Sequence, residues 1–313
     1  MAKLPQIPRG IASHPYTVQN PEELPLSLQH SAEQALEPGE SIQSIFVVPA
    51  QIFPHGWFGA RYVPEQALLF TSQGIFHIQD ADTPGQPASA TYLRALDLLY
   101  TRLSLLLLYG QLELVGQARD ILTHITVEFN TVGEHHLRPG LRHLVNLALS
   151  QTTALPASET EVETVWRELN RLPMKFANGL RYHGLQPGER LLGFVFQPDI
   201  WTRRWRFLPH QVSANTLLAL TDRQLIILEE EKKGNQANYG WIFTFCPLAG
   251  VAAMDLKPAK TWPEVQIRLG RGGVTTDRRV TLEQEQARAW QALWFRYGGH
   301  GEEQGEPVLN AAW

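Results

Sequence analysis

One thiol, Cys246, is present in 313 residues. A single cysteine excludes an internal disulfide framework. Its apolar surroundings, WIFTFCPL, hold no lysine or histidine that would lower its pKa, so it reads as a buried spectator in a reducing compartment. Long apolar runs are missing as well. Leu103 to Leu112 is short and bounded by Arg102 and Glu113. The charge-free stretch from Ser41 to Ala60 is interrupted by Pro49 and Pro54, which a membrane-spanning helix would not place there. The opening residues, MAKLPQIPRGIASH, lack the apolar core of a signal peptide. The expectation is a cytoplasmic protein, with peripheral membrane attachment as the alternative.

Catalytic signatures are absent too. There is no G-x-S-x-G, no G-x-x-x-x-G-K-[ST], no H-E-x-x-H and no C-x-x-C, so the common hydrolase, nucleotide-binding and zinc patterns are missing. His135, His136 and His143 form the densest histidine group, but adjacent histidines are expected to diverge on a helix, and a helix start is the simpler account. Glu229-Glu230-Glu231 followed by Lys232-Lys233 reads as a solvated hairpin tip. Arg268, Arg271, Arg278 and Arg279 surround the Gly272-Gly273 turn. Phosphate-cradling loops open onto a helix N-terminus, and this turn joins two strands, so a glycine hairpin is expected. The reading is of a non-enzymatic chain with no cofactor and no metal.

What is present is an internal repeat. Laid over itself with a shift of about 149 residues, the chain matches Leu36-Glu37-Pro38-Gly39-Glu40 to Leu185-Gln186-Pro187-Gly188-Glu189. Each motif leads into an apolar run ending in proline, at Pro49 and Pro198. LFTSQGIFHI (69–78) then matches LALTDRQLIIL (218–228), and DLLYTRL (97–103) lies over GVAAMDL (250–256). Four matches in one order point to two copies of one domain. In each copy short β-rich runs precede an amphipathic helix. LLALT and QLIIL flank Asp222-Arg223 as a tight hairpin. Thr281-Leu282-Glu283-Gln284 reads as a capping box before Ala287, Trp290, Leu293, Trp294 and Tyr297, which recur at helical spacing. Leu137, Leu141, Leu144, Val145 and Ala148 make the same kind of stripe in the first copy. Ser158 and Glu161 predict a cap for a further helix carrying Val162, Val165, Trp166 and Leu169.

Short strands, a terminal amphipathic helix and the Pro-Gly-Glu opening at Leu36–Glu40 and Leu185–Glu189 resemble the bacterial pleckstrin-homology-like (PH-like, GRAM-like) domains. So do the Leu217–Leu228 hairpin and Tyr239-Gly240 ahead of the next strand. The resemblance implies an α+β, mainly β chain of two tandem bent β-barrels or sandwiches, each closed by a C-terminal helix. The expected order is a Pro-rich arm (1–25), a first PH-like domain (26–150), a linker helix (151–174), a second PH-like domain (175–297) and a Gly-rich acidic tail (298–313). Members of this superfold bind lipids, peptides and proteins, so the fold alone names no ligand.

Charge divides unevenly between the copies. Residues 1–174 hold 10 Lys plus Arg against 17 Asp plus Glu, or −7; residues 175–297 hold 17 against 11, or +6. The tail adds Glu302, Glu303 and Glu306 with no base. The basic excess gathers at Trp201-Thr202-Arg203-Arg204-Trp205-Arg206, near the loop that the resemblance makes part of a ligand mouth. Extended backbone would put Trp201, Arg203 and Trp205 on one side and Arg204 and Arg206 on the other. The simplest account has Trp201 and Trp205 covering the end of a barrel, with arginines stacked over them. The functional alternatives are an acidic peptide or protein, then an anionic lipid headgroup, with nucleic acid behind both. The first copy offers Trp57, Phe58 and Arg61 at the corresponding place, aromatic but with one arginine. The apolar end of the tail, around Pro307-Val308-Leu309 and Trp313, is suited to adding as a strand to an exposed sheet edge.

Overall fold

The computed structural model describes residues 14–36, 39–55, 59–81, 87–204, 208–231, 240–257 and 261–297. The chain is mainly β, in several antiparallel sheets with helices packed on them. Its first half runs β1 (Tyr16–Val18), α1 (Leu26–Ala35), β2 (Ile42–Val48), β3 (Gln51–His55), β4 (Gly59–Val63), β5 (Gln66–Thr71), β6 (Gly74–Gln79), β7 (Ser89–Arg94), β8 (Leu98–Leu106), β9 (Tyr109–Ala118), β10 (Ile121–Asn130) and α2 (Glu134–Leu149). The second half opens with α3 (Glu159–Leu169) and α4 (Met174–Asn178), the latter continuing into a π-helical stretch at Gly179–Gly184. It proceeds through β11 (Leu191–Gln197), β12 (Ile200–Arg204), β13 (Leu208–Ser213), β14 (Thr216–Thr221), β15 (Gln224–Glu230), β16 (Trp241–Pro247), β17 (Val251–Lys257), β18 (Glu264–Arg271), β19 (Val274–Thr281) and α5 (Gln284–Tyr297). From β2 to α2 and from β11 to α5, nine strands and a helix follow in the same order, down to a 3₁₀ turn between β7 and β8 and another between β16 and β17.

The hydrophobic pattern explains why the strands sit where they do. β14 is buried at every position, which requires cover on both faces. Leu218 and Leu220 point to a core closed by Trp290 of α5, while Leu217 and Ala219 point to a cluster with Leu169, Phe176 and Leu180. β5 repeats the arrangement. Leu68 and Phe70 join the core under α2, and Ala67 and Leu69 join the cluster under α1. The period-two alternation of side chains thus sends each strand's residues into two different cores.

The Pro-Gly-Glu motifs have a structural task. Gly39 and Gly188 adopt φ of +86° and +80°, left-handed values that favour glycine. The turn brings the next glutamate onto the neighbouring hairpin. Glu189 accepts hydrogen bonds from Thr221 Oγ1 (2.9 Å), Gln224 Nε2 (2.8 Å) and the Gln186 amide (2.6 Å), and Glu40 accepts from Thr71 Oγ1 and from the Tyr92 hydroxyl. Thr221 in turn accepts from the Arg223 and Gln224 amides, as Thr71 does from Gln73 and Gly74. Burial, the largest influence, pushes the Glu189 carboxyl above its ordinary range. A Cβ at Gly188 meets nothing within 4 Å, so Gly188→Ala is expected to cost only the left-handed backbone, about 1–2 kcal/mol in urea denaturation.

The two halves share a sheet. One sheet has the order β1-β2-β5-β6-β7; a seven-stranded sheet has the order β10-β9-β8-β16-β15-β14-β11. β8 and β16 pair antiparallel from Trp241↔Leu105 to Phe245↔Thr101. β17, β18 and β19 form a third sheet, whose Val265, Ile267 and Leu269 share a core with Leu99, Tyr100 and Val115 of β8 and β9. Arg271 reaches Asp97 and Arg278 lies over the Tyr100 ring.

Several local expectations are changed. Thr281 does not cap α5: it belongs to β19 opposite Glu264, the helix starts at Gln284, and the Glu283 amide donates to Gln197 Oε1 at 2.6 Å. Strand pairing outcompetes the local cap there. Glu229 and Glu230 lie in β15 and not at a hairpin tip, because β15 continues its ladder with β16 to Glu230. Glu230 also binds Lys175 at 2.6 Å and Asn215 at 2.7 Å. Lys232 and Lys233 fall outside the described residues. The rings of His135 and His136 do not diverge; their centroids are 3.8 Å apart. By contrast, Ser158 makes the full capping box with Glu161.

Candidate functional site

The candidate site begins as a sharp local departure from the sheet. After β11 the chain passes Pro198 and enters a separate two-stranded ribbon, β12–β13, with register Trp201↔Gln211, Thr202↔His210, Arg203↔Pro209 and Arg204↔Leu208. The register shifts between Ile200 and Trp201, and such a bulge strengthens local twist and re-aims the side chains beyond it. Ile200 is buried at the root, whereas Trp201 is 44% exposed. Alternation along the strand then puts Trp201 and Arg203 on one side. The Trp201 indole N–H donates to Asp199 Oδ2 at 2.7 Å, which fixes the ring at the ribbon's base. Arg203 is exposed, and no ion pair holds it among the described residues. Arg204 occupies its strand position opposite Leu208; Trp205 and Arg206 lie outside the described residues.

The ribbon β3–β4 takes the same place in the first half, with Arg61 opposite Phe53. Here the arginine is consumed structurally: Arg61 forms an ion pair with Glu128 of β10, which also accepts a hydrogen bond from the Tyr109 hydroxyl at 2.7 Å. Trp57 and Phe58 lie outside the described residues. The two ribbons therefore share a position and differ in pairing: Arg61 is held by Glu128, and Arg203 has no ion pair among the described residues.

A second cationic cluster, which the sequence did not single out, sits where α2 meets the π-helical stretch. Arg138 pairs with Glu134 one turn away and lies 2.7 Å from His183 Nδ1. Arg142 donates to the Tyr182 carbonyl at 2.9 Å, and Arg181 donates to Asn170 Oδ1 while stacking over Trp166. Burial first, then the charges of Arg138 and Arg142, lower the pKa of His183. Every cation of this cluster has a partner, and its effect is to clamp α2 against the second half. The remaining reactive candidates are similarly occupied. Burial pushes the Cys246 thiol up to about 12, which leaves it protonated and inert. Arg268 faces Asp277 across the glycine turn. Among the described residues, no three His, Cys, Asp or Glu side chains gather as a metal-ligand group, and no helix is long and apolar enough to cross a membrane.

Comparison with family models, with curated proteins and with solved structures finds no match to this chain.

Proposed function

We propose that this chain is a non-enzymatic binding or scaffolding protein of two tandem PH-like units. Its ligand-facing element is the β12–β13 ribbon with Trp201, Arg203, Arg204, Trp205 and Arg206, and its ligand is an acidic peptide or protein. The observation that carries this reading is the contrast between the ribbons. Arg61 is neutralised by Glu128, while Arg203 stands exposed beside a half-exposed indole whose ring is already oriented by Asp199. A fixed aromatic face next to a free guanidinium suits a carboxylate-bearing chain, since arginine pairs bidentately with carboxylates and the indole supplies apolar area. The +6 charge of residues 175–297 draws such a ligand toward this half.

The second reading is a peripheral membrane protein that recognises an anionic headgroup through the same residues. The exposed Trp201 favours it, because indoles settle at headgroup interfaces. Asp199, at the root of the ribbon, sets a carboxylate against either anionic ligand and favours neither reading. One experiment separates them. Acidic peptides containing an aromatic residue are expected to bind the wild-type chain, and Arg203→Ala combined with Arg204→Ala is expected to weaken binding about twofold to thirtyfold, from about 0.2–1 kcal/mol per exposed arginine–carboxylate pair. Peptide binding that is absent or indifferent to the double substitution overturns the peptide reading. Co-sedimentation with phosphatidylserine vesicles at low and physiological salt, lost in the same variant, would put the lipid in its place.

A further inference from the structure

The junction between α2 and the π-helical stretch holds two cations whose charge is not met. The Tyr182 carbonyl finds no amide in its own helix: the Leu185 amide donates to Leu180, the Gln186 amide donates to Glu189 Oε2, and Pro187 has no N–H. Arg142, arriving from α2, takes that place at 2.9 Å. Arg181 donates to Asn170 Oδ1 at 2.7 Å and lies over the Trp166 ring, 5.4 Å from its centroid. Both acceptors are neutral. Among the described residues neither guanidinium forms an ion pair, and each keeps unused N–H donors. Their positions are fixed while their charge stays uncompensated.

Both arginines line one open cavity of about 350 Å³, a size that suits a small ligand. Trp166, Tyr182, Leu185 and Pro187 give it a largely apolar wall. Glu189 is the one carboxylate of the lining, and its oxygens are already engaged by Thr221, Gln224 and the Gln186 amide. Gln186 also belongs to the lining; it is buried, and its Oε1 accepts no hydrogen bond among the described residues. His183 reports the field beside the cavity, since burial first and then the charges of Arg138 and Arg142 lower its pKa.

Two held guanidiniums beside an apolar wall define the complementary group. A carboxylate brings a single charge, which one guanidinium satisfies through paired N–H donors. A phosphate monoester at neutral pH carries about two negative charges on strongly accepting oxygens, enough to engage both arginines at once. The wall formed by Trp166, Tyr182, Leu185 and Pro187 then calls for an apolar or aromatic substituent on the ester, which inorganic phosphate lacks.

We propose that this cavity binds the phosphate group of a small phosphate monoester between Arg142 and Arg181, at a site separate from the β12–β13 ribbon. The test is calorimetric titration of the full-length chain with phenyl phosphate, inorganic phosphate and benzoate. Phenyl phosphate is expected to bind most tightly. Arg142→Gln and Arg181→Gln, which keep a donor at each position, are each expected to weaken it about tenfold. Arg288→Gln, an equal change of charge at an exposed position of α5, is expected to leave it unchanged. In the wild-type chain phenyl phosphate should shift the amide resonances of Arg142 and of Arg181 to Gln186, and not those of β12 and β13, a readout that stands even where a substitution perturbs the fold. Absent binding, binding indifferent to both substitutions, or shifts confined to the ribbon overturn the proposal. Benzoate binding as tightly as phenyl phosphate also overturns it, by making the site one for carboxylates, and so does inorganic phosphate of equal affinity, by leaving the ester substituent no part.

Discussion

Trp290→Ala is expected to destabilise the protein by about 3–5 kcal/mol, the range for removing a large aromatic side chain from a packed core. Trp290 is 1% exposed and packs from α5 against Met254 and Val265, with its indole N–H 3.0 Å from Met254 Sδ. Its core also contains Leu99, Tyr100 and Val115 of the first half. The loss should therefore shift one cooperative urea transition that both halves share. Two transitions, with only the second displaced, would contradict the interlocked packing. Trp201→Ala provides the contrast: at a half-exposed ribbon position it should change stability by about 0.5 kcal/mol or less.

Acidification is expected to weaken the fold through His77 by up to roughly 3 kcal/mol, from about 1.4 kcal/mol per pKa unit. Burial lowers the His77 pKa from 6.5 to about 4, and its Nε2 lies 2.8 Å from Gln66 Oε1. Between those two values the unfolded chain takes up a proton that the folded chain refuses, so stability is full above pH 6.5 and declines as the pH falls toward 4. His183 and His136, whose pKa values are also lowered, act in the same direction. The raised carboxyls of Glu189 and Glu65 act oppositely, because there the folded chain holds the proton longer. Subtracting the stability profile of His77→Gln from that of the wild type isolates the His77 contribution. A difference profile that stays flat from pH 7 to pH 4 would contradict it.

Elements with a strong local pattern were legible in the sequence. The β14–β15 hairpin, the α2 stripe of Leu137, Leu141, Leu144, Val145 and Ala148, and the Ser158 cap all form as their residues dictate, because each is decided within a few neighbouring positions. The junction of β8 with β16 was not legible. Strand pairing is specified by backbone groups that every residue carries, and nothing in the side chains of Leu98–Leu106 names Trp241–Pro247 as the partner. The Thr281 cap failed for a related reason, since a ladder with β18 claimed that residue first. At the candidate site, residue type announced the chemistry of Trp201 and Arg203 but not their state. That Arg61 is neutralised depends on Glu128, brought to it from a distant strand, and contacts between distant positions leave no trace in local spacing.

The β8–β16 ladder also bears on synthesis. During translation, β8 emerges well before β16 exists, so the first half can collapse around α2 while one margin of its last sheet stays unsatisfied. Closing that margin requires a partner from far along the chain, which is entropically slow. Until then the nascent polypeptide carries a template for intermolecular pairing. A fragment ending near residue 150 is accordingly expected to associate with itself, and co-expression of residues 151–313 is expected to suppress that association by supplying β16.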